Sequence, residues 1–393
     1  MNLADHLPAV KTFLVVARTR SMAEAARTLY RSRAAVSRSV GDLETVLGTR
    51  LFDRHGTGLE LTGAGRLVLA RAERIDAELT HAASRVCQAR SAAKTAPLYD
   101  GRRLRLVVHL VALRSVSKAA VAAGLTQSGA SMALSRLESA LGLPLFERAR
   151  GGVVPTEAAV GLAIHARRTF AELRHLHSDI ASTAGTPSGS VVIGALPLGR
   201  TQLLPAALAE ALAGRPGLRI TTVESHYDHL VEELHAGDID LVVGVTRDGS
   251  DDSGLVKEPL FTDRLAVLAG AGHRLAGRPV TAAALAAERW ILPRTGSSSR
   301  RLFTGAFARA GIEPPRPVVE SADLGVIRHL LTNGDLLALG SARHFSFELS
   351  AGLVVELDAD LPPMTREVAL LLRAGTEQSP AARAVIDALR AKP

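Results

Sequence analysis

Arg33, Ala34, Ser37 and Arg38 follow closely on Ser32, and helical spacing puts them on or near one outward face at the start of a helix. The opposite side of that helix is apolar. Val36, Val40, Leu43 and Leu47 fall at i, i+4, i+7 and i+11 and make one buried stripe. A helix buried on one side, with a polar and basic first turn on the other, suits contact with the edges and phosphates of a DNA duplex. Arg33 has the fork to read guanine. A second set stands 94 positions on: Thr126, then Gln127, Ser128 and Ser131. Gln127 suits a bidentate contact with adenine. Arg54 and Arg148, also 94 apart, follow where a guanidinium reaches phosphate or the minor groove. For each of these residues a phosphate contact or plain solvation stands beside base readout, since half or more of such hydrogen bonds go to the DNA backbone.

The elements that position these residues occur twice. With a shift of 94, no gap is needed from about residue 20 to residue 79. Arg20-Ser21 matches Arg114-Ser115, Leu43-Glu44 matches Leu137-Glu138, and Leu51-Phe52 with Arg54 matches Leu145-Phe146 with Arg148. Two copies are too few for a solenoid, so the pattern reads as a duplicated domain. In the first copy, Ser21-Met22-Ala23-Glu24 has the form of a capping box and opens a short helix to about Leu29. Ala25 and Ala26 are small enough for a close helix crossing. Ser32 caps the next helix. Gly48 stands where a helix end favours a left-handed residue. Leu51-Phe52 and Leu59-Glu60-Leu61 read as strands of a hairpin turning at His55-Gly56-Thr57-Gly58. Thr62 caps a long helix to about Arg90, and the second copy has its own from about Glu157 to Ser182. Together these describe a winged helix-turn-helix, whose recognition helix enters the major groove.

At this point the residues resemble a known family. "SMAEAARTLYRSRAAVSRSVGDLETVLGTRLFDR" with "LTGAGR" resembles the DNA-binding head of the LysR-type transcriptional regulators, and "SVSKAAVAAGLTQSGASMALSRLESALGLPLFER" with "PTEAA" is similar to the same head. The family usually has one head. Arg33-Ala34 stands where many members have Gln-Pro, and Ala159 stands where the first copy keeps Gly65. Both copies are expected to contact DNA; a second copy kept only as an interaction module is the alternative. The long helices resemble the family's linker helix, which dimerises the heads.

The charge distribution agrees with a DNA-contacting front. Through residue 184 there are 26 Lys/Arg against 15 Asp/Glu, a net +11, while the remainder carries 21 against 24, a net −3. Aromatic residues are 3%, which disfavours a single-strand binder that stacks bases. Cys87 is the lone cysteine, so an intramolecular disulfide and a multi-cysteine zinc site are excluded and a reducing cytoplasm fits. No apolar run reaches membrane-spanning length, and the N-terminus lacks the pattern of a signal peptide.

From Val191 strand-length apolar runs alternate with helical stretches, which implies parallel sheets with crossover helices. Ligands in such sheets sit beyond the carboxyl ends of the strands. "ALPLGRTQLLP" and "LPRTGSSSRR" are placed for this, the latter offering Thr295, Ser297, Ser298 and Ser299 either as an anion site or simply as helix caps. This half resembles the LysR-type effector domain, two α/β subdomains like a periplasmic binding protein. The resemblance implies a small effector between them. Leu196, Pro197, Leu198, His226, Tyr227 and Thr246 would face Pro293, Thr295, Ser297, Ser298 and Ser321.

The expected architecture is therefore α/β with a helix-rich N-terminal part. Residues 1–92 form one winged helix-turn-helix with linker helix and 99–184 a second. Residues 190–393 form the effector domain, with subdomain I at about 190–263 and 367–393 and subdomain II at about 264–366. Expected partners are double-stranded DNA, a small effector (a carboxylate or aromatic acid, with a sugar possible) and further copies of the chain as a dimer or tetramer; no membrane is expected. No cofactor, metal or catalytic group is expected. His175-x-His177 and His226-x-x-His229 have poor ligand spacing, and no nucleophile elbow, Walker loop or dinucleotide fingerprint is present. Glu232-Glu233 and Asp251-Asp252 read as solvated surface. The competing classes are an architectural DNA-bridging protein and an enzyme on a binding-protein-like fold. Against a cysteine-tethered cofactor enzyme, Cys87 lies in the first linker helix.

Overall fold

The computed structural model describes residues 3–55, 58–86, 95–184, 188–201, 203–247 and 253–391. The Arg54 side chain, the Gly56-Thr57 turn, Cys87 and Asp251-Asp252 lie outside the described residues. The first unit runs α1 (Leu7–Thr19), α2 (Met22–Thr28), α3 (Arg33–Leu47), a hairpin of β1 (Phe52–His55) and β2 (Gly58–Leu61), then α4 (Gly63–Val86). The second repeats it: α5 (Gly101–Leu113), α6 (Val116–Ala122), α7 (Gln127–Leu141), β3 (Phe146–Ala149), β4 (Gly152–Pro155) and α8 (Glu157–Ala181). A 3-10 turn precedes each, at Leu3–His6 and Ala96–Leu98. α1 and α5 are additions to the motif-based expectation.

The local signals act as their chemistry dictates. Ser21, Ser32, Thr126 and Thr156 each accept a hydrogen bond from the backbone N–H three residues on. Val36, Val40, Leu43 and Leu47 are buried. Gly48 and Gly142 end α3 and α7 in the left-handed region, at φ 66° and 76°. The turn after α2 carries Tyr30 at φ 51°, while the equivalent turn after α6 carries Gly124 at φ 68°, so the first copy tolerates strain that the second avoids. Gly65 is needed where it stands, because a Cβ there would lie 2.1 Å from the Leu51 carbonyl oxygen. At the equivalent place Ala159 is fully buried, so α8 enters its unit with more room.

The C-terminal half comprises β5 (Gly189–Ala195), α9 (Pro197–Thr201), α10 (Leu203–Leu212), β6 (Leu218–Val223), α11 (Tyr227–Ala236), β7 (Leu241–Val245), β8 (Leu255–Gly270), β9 (Pro279–Thr281), α12 (Ala282–Ala286) and β10 (Trp290–Leu292). Then follow α13 (Ser298–Arg309), β11 (Pro317–Glu320), α14 (Leu324–Asn333), β12 (Leu337–Ser341), α15 (Ser346–Ser350), β13 (Val354–Glu356), β14 (Asp358–Asp360), β15 (Met364–Arg373) and α16 (Pro380–Arg390). The purely parallel sheets expected from the alternation of strand and helix do not form. One mixed sheet runs β11-β10-β12-β8-β15-β7-β5-β6, with β13 also on β8. β5 pairs in parallel with β6 and β7, and β10 with β11 and β12. β8 and β15 lie between the two parallel groups and run antiparallel to each other from Met364 beside Leu265 to Arg373 beside Leu255. The physical reason is topological: the chain crosses from one group to the other along β8 and returns along β15. Separate cores form on the two sides. Val191, Ile193, Val243 and Ile386 belong to one; Trp290, Phe303 and Phe307 pack edge-on and tilted in the other.

Candidate functional site

In both winged units the outward face is open. Ser32, Arg33, Ala34, Ser37 and Arg38 are exposed, as are Thr126, Gln127, Ser128, Ser131 and Arg148. The Ser32 and Thr126 hydroxyls already accept from the amides of Ala35 and Gly129, at 3.2 and 3.1 Å, so their geometry is that of caps. Arg54 lies on β1, in register with Leu59. Each hairpin is tied to its recognition helix by one carboxylate that motif spacing did not single out for this work. Glu44 Oε1 accepts from the amides of Leu51 (2.7 Å) and Phe52 (3.4 Å); Glu138 Oε1 accepts from those of Leu145 (2.7 Å) and Phe146 (3.2 Å). The available signal was an acid kept at the same place in both copies on an otherwise uncharged helix edge.

Behind the units, α4 and α8 pack along each other, with Val68, Ala72, Ile75 and Leu79 of α4 buried together with Leu162, Ala166, Leu173 and Leu176 of α8. Arg71 is buried in this seam. Its guanidinium donates to Asp179 Oδ2 at 2.7 Å, to Glu172 Oε2 at 2.9 Å and to the Glu377 carbonyl at 2.9 Å. Burial opposes its charge, and the hydrogen bond and charge of Asp179 with the charge of Glu172 outweigh that, so its pKa is raised. His175 Nε2 stands 2.7 Å from Asp240 Oδ1, and Arg174 donates to the same oxygen at 2.8 Å. Asp240 Oδ2 accepts from the Val192 amide on β5. Burial opposes ionisation of Asp240, yet the His175 hydrogen bond and the Arg174 charge hold its carboxyl down at about 2. A continuous set of polar contacts thus joins α4, α8 and the first strand of the sheet.

A cavity of about 240 Å³ opens between the two parallel strand groups. Leu196, Pro197 and Leu198 after β5, with His226 and Tyr227 at the start of α11, line one side; Pro293, Ser297, Ser298 and Ser321 line the other. Thr246 and Thr295 do not line it. Thr246 is buried behind it because its amide joins the sheet to the Glu367 carbonyl, and its Oγ1 has no hydrogen-bond partner among the described residues. Thr295 is exposed and donates to Glu320. Ser297 does cap α13, accepting from the Arg300 amide. Asp323 caps α14, and Ser321 Oγ, just before it, accepts from the Asp323 amide.

Motif reading missed the polar floor. Arg366 on β15 donates to Asp263 Oδ2 at 2.8 Å and Ser299 Oγ at 2.7 Å, and Ser341 donates to Asp263 Oδ1 at 2.6 Å. Beside it, burial first and the Arg366 charge next push the His344 imidazole down to about 4, leaving it neutral. Its Nε2 has no partner among the described residues. These groups are brought together by β8, β12 and β15, so no local spacing announces them. A broader cleft of about 890 Å³ lies at the root of α8, walled by Leu3, Phe170, Arg174 and Arg219. No metal-ligating cluster and no helix long and apolar enough to cross a membrane occurs among the described residues.

Residues 184–393 match the family described as "LysR substrate binding domain". Residues 7–66 and 102–160 each match "Bacterial regulatory helix-turn-helix protein, lysR family". The HTH-type transcriptional regulator GalR of Pseudomonas putida is 40% identical over 387 residues, 98% of this chain and 96% of that protein. The HTH-type transcriptional regulator GbpR of Rhizobium radiobacter is 30% identical over 238 residues, 60% of this chain and 79% of that protein. Among solved structures, a full-length OxyR variant from Pseudomonas aeruginosa superposes with a TM-score of 0.54 at 21% identity, covering 74% of this chain and 94% of that one.

Proposed function

The chain belongs to the LysR family: it is a DNA-binding transcriptional regulator with a substrate-binding domain, and we propose that both of its winged units are DNA-reading heads. The observation that carries the proposal is the recurrence, at an offset of 94, of one exposed polar helix face with one carboxylate-tied wing. In the first head Arg33, Ala34, Ser37, Arg38 and the wing position Arg54 serve the duplex; in the second, Gln127, Ser128, Ser131 and Arg148 do. Ser32 and Thr126 cap the two recognition helices. The heads with their long helices occupy 1–92 and 99–184.

The effector domain occupies 190–393, divided at the crossing strands into 190–263 with 367–393 and 264–366. Its ligand sits in the cavity floored by Arg366, Ser341 and His344. An arginine, several hydroxyls and a neutral imidazole suit a small carboxylate, an aromatic acid above all, with a sugar as the other fit. The protein works in the cytoplasm as a homo-oligomer, without cofactor or catalysis. The effector acts by its differential affinity for two arrangements of the heads.

The test is DNA binding by the Ser37→Glu and Ser131→Glu variants at fixed salt, on fragments from around its own gene. Loss of affinity in both supports two working heads. Loss in one alone leaves the other as an interaction module, and no loss in either removes this face from DNA contact.

A further inference from the structure

The two heads are not independent attachments on a string. α4 and α8 pack against each other within the chain, and they do so antiparallel. Stepping along α4 from Arg71 to Glu78, the partners on α8 step back from Asp179 and Glu172 to His165. The register relates equivalent residues. Arg71 and His165 are 94 apart, as are Glu78 and Glu172, and the contacts made are Arg71 with Glu172 and His165 with Glu78. An approximate twofold axis therefore passes between the helices. The leading turns obey it too: the first touches α8, and Tyr99, which ends the second, donates its hydroxyl to Asp76 of α4 at 2.7 Å. One hydrophobic core takes in α1, α4, α8 and the body of the second unit, including Leu104, Val107 and Leu137.

We propose that a single chain is a complete, internally paired head dimer, whose DNA partner is a bipartite site with two unlike halves. This rests on the reading of both units as DNA heads. α4 begins directly after β2 and α8 directly after β4, so antiparallel pairing puts the heads at opposite ends of the seam. A pair made from two copies of one head presents the same face twice and matches a palindromic site with twofold symmetry, because the symmetry of the protein is copied into the operator. Here the faces differ. Arg33, Ala34 and Arg38 on one side stand against Gln127, Ser128 and Met132 on the other. The first set favours guanine and phosphate, the second adenine with an apolar contact. The seam residues that would pair a head with another chain are already occupied within this one, so a second chain adds a further head pair rather than completing the first.

The experiment uses the full-length protein. Duplexes enriched from a random-sequence pool by the wild-type chain are footprinted with hydroxyl radicals. The same duplexes are then bound by Ser37→Glu, by Ser131→Glu, and by the two variants co-expressed with different tags and purified through both. The expected result is two protected segments whose sequences are not an inverted repeat. Each variant loses a different segment and weakens binding by about tenfold or more. The co-expressed variants stay as weak as the singles, since no internal pair then holds two intact heads. Recovery of wild-type affinity on co-expression would overturn the proposal, because only pairing between chains can assemble two intact heads. A palindromic enriched sequence would overturn the unlike halves. If neither variant weakens binding, the DNA reading of both faces falls first, and this inference with it.

Discussion

Arg71 and His165 occupy equivalent positions in two successive copies of one design, and each binds the acid equivalent to the other's: Arg71 Nη1 lies 2.9 Å from Glu172 Oε2, and His165 Nδ1 lies 2.7 Å from Glu78 Oε2. The two pairs differ in depth. Arg71 and Glu172 are nearly free of solvent, at 1% and 4% side-chain exposure, whereas Glu78 keeps 18%. Glu78 is held below the usual carboxylate range: burial opposes this, and the His165 hydrogen bond with the Arg168 charge outweighs it.

The deeper pair sets the first prediction. Arg71→Met leaves Asp179 buried without its cation and Glu172 with Arg74 alone, so unfolding should cost about 3–5 kcal/mol less in urea. Replacing all three by apolar residues of similar volume should recover most of that loss. A single variant as stable as wild type would mean that the seam does not depend on this charge.

The carboxylates that tie the wings give a second. Glu44→Gln and Glu138→Gln each weaken hydrogen bonds to two amides and should destabilise by about 1.5–3 kcal/mol. The corresponding hairpin amides, followed by hydrogen exchange, should open faster in the altered unit alone. Equal acceleration in both hairpins would contradict the local role.

Two glycines separate space from conformation. Gly41→Ala on α3 meets nothing within 4 Å and should raise stability by about 0.5–1 kcal/mol, the helix propensity difference. Gly65→Ala drives a Cβ against the Leu51 carbonyl and should lower the melting temperature. Ala159→Gly, at the equivalent position, should cost only about 1 kcal/mol. A Gly65→Ala protein that melts with wild type would show that α4 can shift as α8 has.

His344 sets the pH dependence. Its imidazole titrates near 6.5 when unfolded and at about 4 when folded, so the unfolded chain binds more protons between those values. Its contribution is full above the unfolded value and is lost as pH falls toward 4, by up to ~3 kcal/mol. His344→Gln should flatten that part of the stability curve. A curve of unchanged slope would place the acid sensitivity elsewhere.

Salt dependence sorts the exposed arginines. Removing one phosphate-binding cation lowers the log–log salt slope of DNA affinity by about 0.9. Arg148→Ala, on the second wing, should do so on any duplex. Arg33→Ala, if it removes a base contact, should leave the slope and weaken only the selected sequence. An Arg33 variant that lowers the slope on all duplexes would assign that residue to phosphate.

Much of this molecule was legible in its sequence, because the signals are local. Ser32, Thr126 and Thr156 cap the next three residues, Gly48 and Gly142 end helices, and the apolar stripe of α3 needs only the helical period. The offset of 94 is a property of the string itself, and so is the basic front half. The loops at strand ends named the apolar wall of the cavity, since Leu196 to Leu198 follow β5 directly and Tyr227 opens the helix after β6.

Tertiary structure decided what depends on contacts remote along the chain. Nothing local distinguishes Arg366 from any other strand arginine; it matters because antiparallel β8 and β15 bring Asp263 beside it, with Ser299 approaching from α13. Thr246 looked like a strand-end ligand residue, and the register of β7 against β15 turned it inward. Above all, a linker helix looks the same whether its partner lies in its own chain or another. Only the packing of α4 on α8, Arg71 to Glu172 and His165 to Glu78, shows these two long helices taking each other as partners, because apolar seam and buried charge must find complements wherever the fold brings them.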